Sequence, residues 1–136
     1  MTKPRVGLPI VDAHAHFWDL EAHTYPWLCD PAPIRFRYGD TSRIRHSYLP
    51  EDYRRDSRDF NVVGLVHIEA EHDPRDPLGE TRWLTVLAAH PGSPPGLPAA
   101  CVGQAWLDRG DVAEILAAQA AFALVRGVRH KLSTAE

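Results

Sequence analysis

The 136-residue sequence has little of what would fix its class at once. It carries two cysteines, Cys29 and Cys101, far apart and in no CxxC pair, which leaves no disulfide framework and suits free thiols in a reduced compartment. No apolar run approaches the ~20 residues that a membrane-spanning helix requires. The opening stretch MTKPRVGLPIVDAHAH has basic residues but no apolar segment ahead of Asp12 of the kind a secretory signal needs. An excess of charge of one sign is lacking too. A formal net charge of −3 gives neither nucleic acid nor an anionic membrane surface a reason to bind. There is no self-similar repeat and no low-complexity tract. What remains is a single globular domain over residues 1–136, expected in the cytoplasm.

Strands and helices alternate along the chain. A short apolar strand runs from Ile10 to His16. Residues 17–49 read as a long loop broken by Pro26, Pro31, Pro33, Gly39 and Asp40, and loops of that length are often functional. A helix opens at Pro50 in PEDYRRDSRDF, where proline suits the first turn and acids follow it. NVVGLVHIEAE is the second strand. In ETRWLTVLAAH, Trp83, Leu84, Leu87 and Ala88 recur at helical spacing until Pro91 and Gly92. AACVGQAWLD gives a third strand. DVAEILAAQAAFA gives the clearest helix, with Val112, Ile115, Leu116, Ala120 and Ala123 on one stripe. VRGVRHKL gives a fourth strand. This alternation predicts an α/β fold with a parallel sheet and right-handed crossovers.

Strand residues two apart face the same way. Regular alternation puts Asp12, His14 and His16 on one face of the first strand. On the second strand it puts Val63, Leu65, His67, Glu69 and Glu71 together, leaving Val62, Gly64, Val66, Ile68 and Ala70 to pack under helices. Gln104, Trp106 and Asp108 again make a strand end polar. Parallel sheets collect their sites at these carboxyl ends. The pair His14 and His16 has Cα atoms roughly 7 Å apart on one side of a strand, close enough for two neutral imidazoles to meet at one ion. Asp12 could then anchor a ring from behind. Hydrogen bonding in a buried end layer is the structural alternative. His67 lies deeper and reads as a satisfied interior histidine, while His23, His46, His72 and His90 fall in loops or at helix ends. Tyr25 and Trp27 are expected to close the long loop over the strand ends, and Trp106 to form a wall.

Five motifs in order, IVDAHAHFWDL with YPWL, YLPEDYR, VGLVHIEAEHDP, GETRWL and RGVRHKL, span Ile10 to Leu132. Together they resemble the lactonase-like branch of the amidohydrolase superfamily. The resemblance implies a (β/α)8 TIM barrel with His14 and His16 at the end of strand one, as catalytic residues and as ligands of one divalent zinc or manganese ion. Members of the branch differ in whether they need a metal at all, in which case the histidines polarise the substrate carbonyl directly. The implied substrate is a small lactone, and the implied reaction is hydrolysis of its C–O bond. The resemblance further implies an aspartate on the last barrel strand that activates water. Glu69, Gln104, Arg129 and His130 are the implied substrate-binding residues, with only one of the last two able to face inward.

A barrel of this kind needs about 250 residues. The sequence supplies four strands, so the resemblance implies its N-terminal half, a fragment without the late-strand aspartate and with little activity alone. Two other readings compete. One is a shortened non-catalytic protein that binds a ligand or self-associates through exposed half-barrel edges. The other is a free-standing α/β module whose His-x-His is structural.

Overall fold

The computed structural model describes residues 7–30 and 39–132. Four strands, β1 (Ile10–Ala15), β2 (Val62–Ile68), β3 (Ala100–Gln104) and β4 (Val125–Arg129), form one sheet in the order β1-β2-β3-β4. Each neighbouring pair is parallel. Helices α2 (Pro50–Asp56), α3 (Gly79–Ala89) and α4 (Val112–Ala120) make the crossovers, giving the expected alternating α/β architecture. Within the long loop lie a four-residue helix α1 (Pro26–Cys29) and a 3-10 turn at Ser42–Ile44. Pro31 and Pro33 fall outside the described residues. No described helix is long and apolar enough to cross a membrane.

Local signals explain the elements. Proline opens α2 at its first turn, and the Asp52 carboxylate accepts the Leu49 N–H at 2.9 Å, satisfying a donor that the helix leaves orphaned. Trp18 and Tyr48 exchange backbone hydrogen bonds at 3.1 and 2.9 Å and so return the long loop to the end of β1. The Trp18 indole donates to the His46 carbonyl, and the Trp27 indole to that of Ala70, both at 2.7 Å. The aromatic segment is therefore tied across the strand ends, with Tyr25 fully buried beneath it.

The main core lies between sheet and helices: Phe17, Leu65, Leu84, Leu97 and Cys101 are buried there, with Leu87 and Trp83 of α3 packed against them. This reverses the facing expected for β2. Leu65 and His67 point toward α3, and alternation therefore turns Val66 and Ile68 to the opposite side. The more uniformly apolar row is not the one under the helices, because His67 is buried there, hydrogen-bonded through one ring nitrogen and set beside a carboxylate through the other. Its Nδ1 accepts the Phe17 N–H at 3.1 Å, and its Nε2 lies 3.3 Å from Glu80.

Two helix stripes also differ from the sequence pattern. In α4, Ile115 and Gln119 are buried while Ala120 is exposed, and Ala123, beyond the helix end, is exposed too. Gln119 is drawn inward by hydrogen bonds to Thr81 Oγ1 and to the carbonyls of Gln104 and Pro77. In α3, Glu80 and Thr81 are buried and Ala88 is exposed. Hydrophobic periodicity cannot register a polar side chain whose partners come from other elements.

Candidate functional site

At the carboxyl ends of the strands a cavity of about 480 Å³ is lined by His14, His16, Trp18, Trp27, Asp40, Thr41, Ile44, Ala70, Glu71, Arg129 and Lys131. That volume suits a small ligand.

His14 and His16 enter the cavity by a route the sequence did not disclose. Regular alternation would have carried Asp12 with them. In β1, however, Asp12 pairs with Leu65 and Ala15 with His67, three residues against two. This bulge changes the phase of the strand. Asp12 now faces α2, where its Oδ2 accepts the Tyr53 hydroxyl at 2.7 Å, and Ala15 packs against the helix-side core. Asp12 anchors neither imidazole ring; its Oδ1 accepts the His14 backbone N–H at 3.0 Å.

The two imidazoles meet edge to face with centroids 5.0 Å apart, and His16 stacks on Trp18 at 6.4 Å. His16 Nδ1 sits 2.7 Å from the Ile68 carbonyl. A carbonyl only accepts, so Nδ1 carries the proton and the Nε2 lone pair is left open. Burial pushes the His16 pKa down to about 4, assisted by His67, His14 and Arg129 and opposed by the Ile68 carbonyl. His16 is therefore neutral near pH 7.

Arg129 lines the cavity and His130 does not. Arg129 Nε donates to Glu69 Oε1 and its Nη2 to the Glu69 carbonyl, both at 2.6 Å. The His130 ring instead accepts the Leu107 N–H at 3.1 Å and stacks on half-exposed Trp106. Glu69 is buried below the cavity with both oxygens engaged, the second by the Glu71 N–H at 2.8 Å. Burial raises its pKa, and the Glu71 N–H and Arg129 partly offset this. Its carboxylate braces Arg129 rather than opening to a ligand. Gln104 is buried too, donating to the His72 carbonyl at 3.3 Å, and lies outside the lining.

Sequence reasoning passed over Trp18, Asp40, Thr41, Ile44 and Lys131, and placed Glu71 at a polar strand end without a role. Two of these carried a usable signal. Trp18 follows His16 by two residues, and Lys131 follows Arg129 by two. Glu71 has a backbone φ of 57°, a left-handed conformation that costs a non-glycine residue energy and clusters at functional sites. The hydrogen bond that its backbone N–H donates to Glu69 Oε2 and its ion pair with Lys131 at 2.5 Å hold it there.

For a divalent ion, the open lone pair of His16, with its other nitrogen held by a carbonyl, is the arrangement a ligating histidine takes. Yet among the described residues no group of three His, Cys, Asp or Glu is placed to hold an ion. His14 and His16 by themselves do not complete a zinc or manganese site.

Comparison with known proteins agrees with this architecture. No family model matches the chain. It is 39% identical over 127 residues to the uncharacterized protein y4mH of Sinorhizobium fredii, covering 93% of this chain and 41% of that protein. An amidohydrolase from Burkholderia multivorans with bound HEPES superposes with a TM-score of 0.62 at 26% identity, over 92% of this chain and 37% of that one. With bound zinc, that amidohydrolase gives a TM-score of 0.58 over 38% of its length. Amidohydrolase 2 from Bifidobacterium longum subsp. infantis gives 0.63 at 21% identity, over 95% of this chain and 42% of that one. The chain thus spans about two-fifths of the length of the proteins it matches. Its four parallel strands and intervening helices match part of an amidohydrolase TIM barrel.

Proposed function

We propose that this chain is the histidine-bearing part of an amidohydrolase-type hydrolase that opens a cyclic ester, a sugar-acid or dicarboxylate lactone. The observation that carries the reading is one strand-end cavity holding two imidazoles and a braced guanidinium, His14, His16 and Arg129. Likeness to amidohydrolase structures supports it.

A lactone acid brings a carboxylate and an ester carbonyl to such a cavity. Glu69 engages Nε and Nη2 of Arg129, and Nη1 is the nitrogen that meets the substrate carboxylate. His16 Nδ1–H donates its hydrogen bond to the Ile68 carbonyl, so it cannot polarise a substrate carbonyl by donation. Its Nε2 accepts instead, from the attacking water. Polarisation of the carbonyl falls to His14, which stabilises the developing oxyanion. Water adds to the carbonyl carbon, the ring C–O bond breaks, and the proton lost by water ends on the departing alkoxide to give a hydroxy acid. Trp18 and Trp27 give the cavity apolar walls.

The test is binding of aldonolactones and lactone dicarboxylates to the purified chain by calorimetry, beside His14→Ala and Arg129→Met. Saturable binding of an acidic lactone that either variant weakens at least tenfold supports the reading. Absence of binding across the panel, or binding indifferent to both variants, overturns it.

A second reading is a binding protein that associates with itself. It draws on β1 and β4 as the two edges of the sheet and on exposed Val11 beside the first of them, since unpaired edges template association. Light scattering on the same preparation distinguishes it: a discrete dimer favours association, a monomer does not.

A further inference from the structure

We infer that Asp12 is a positioning residue whose two carboxylate oxygens lock the β1 bulge and so aim His14 and His16 into the cavity rather than under the helices. On an unbulged strand, residues 12, 14 and 16 share a face. Asp12 lies on the helix side, hydrogen-bonded to Tyr53 of α2. Without the extra residue, both histidines would follow it there and Ala15 would take their place at the cavity. The observed pairing of Asp12 with Leu65 and of Ala15 with His67 supplies the extra residue. Asp12 Oδ1 accepts the His14 N–H within that stretch at 3.0 Å, and Oδ2 fixes the carboxylate to Tyr53 at 2.7 Å. One side chain thus satisfies the backbone of the bulge and ties it to a helix. A one-residue slip moves every following side chain to the other face, so the effect of Asp12 reaches both imidazoles without touching either ring. That the rings serve hydrolysis rests on the proposed function; that Asp12 aims them does not.

The test is nuclear magnetic resonance on the full chain, reading two through-space contacts. One is between the His14 and His16 rings, whose centroids are 5.0 Å apart. The other is between the Ala15 methyl and the helix-side core it packs against. Asp12→Asn keeps an acceptor for His14 and is expected to retain both contacts. Asp12→Ala is expected to lose both, while Ile115→Ala, buried in α4 outside that core, lowers stability and keeps both. Retention of both contacts in Asp12→Ala overturns the inference, as does their equal loss in Ile115→Ala. Where Asp12→Ala does not fold, Tyr53→Phe decides. Loss of at least half the His14–His16 contact intensity there supports the inference, and an unattenuated contact overturns it. None of these readings depends on a lactone, so a failed binding panel leaves the outcome intact.

Discussion

His16 and His67 lie 6.1 Å apart, ring centre to ring centre, on opposite faces of the same strand ends. They have different fates. His67 is fully buried on the helix side, with Nδ1 accepting the Phe17 N–H and Nε2 beside the Glu80 carboxylate. Glu80 in turn accepts the Ala70 N–H at 3.1 Å. His16 spends one nitrogen on the Ile68 carbonyl and leaves the other open to the cavity. The first arrangement holds the fold, since a buried imidazole hydrogen-bonded through Nδ1 and set against a carboxylate specifies a packing. The second holds a lone pair ready for a ligand. The comparison teaches that a histidine's role is settled by what its second nitrogen meets, not by which strand carries it.

The sharpest way to test this division is to damage one side and read the other. Leu84→Ala, in the core under β2, is expected to cost about 2–5 kcal/mol in urea unfolding, while leaving ligand binding by the folded fraction unchanged. Gly103→Ala comes next. A Cβ there would lie 2.5 Å from Gln119 Oε1, forcing the buried amide network to shift at a cost of about 1–3 kcal/mol, again without effect on the cavity. On the other side, His16→Ala is expected to lose one hydrogen bond, about 1 kcal/mol, and to weaken lactone binding. Equal loss of stability in His16→Ala and Leu84→Ala would erase the distinction.

The pH dependence sharpens the comparison further. The folded-state pKa of His16 lies near 4, below the ordinary 6.5. Between those values the unfolded chain takes up the proton first. The stability that depends on neutral His16 is therefore present above about pH 6.5 and is lost as pH falls toward 4. The urea midpoint should fall over this window and fall less in His16→Gln. The smallest effect concerns the thiols. Cys101 is fully buried, and burial together with Glu80 pushes its pKa to about 12, whereas Cys29 is exposed. A thiol reagent at pH 8 should titrate one fast cysteine in the native protein and two in urea.

Much of this was legible in the chain itself. Proline at 50, the Val-rich run at 62–68 and the apolar spacing of Leu84 and Ile115 are local signals, and they suffice for four strands alternating with helices. Parallel alternation then puts polar strand ends together at one end of the sheet, which is where His14, His16 and Arg129 meet. Choosing between Arg129 and His130 required the register of β4 against β3, with Arg129 opposite Gln104.

The sequence by itself determined the order of elements and the end of the sheet at which its chemistry gathers, because propensity and period act over a few neighbouring residues. Only the tertiary structure decided the faces. The β1 bulge, the turn of Leu65 and His67 toward α3, and the burial of Glu80 and Gln119 each depend on hydrogen bonds between residues far apart in the chain. A polar side chain finds such partners only when the elements have packed, and no local pattern records them.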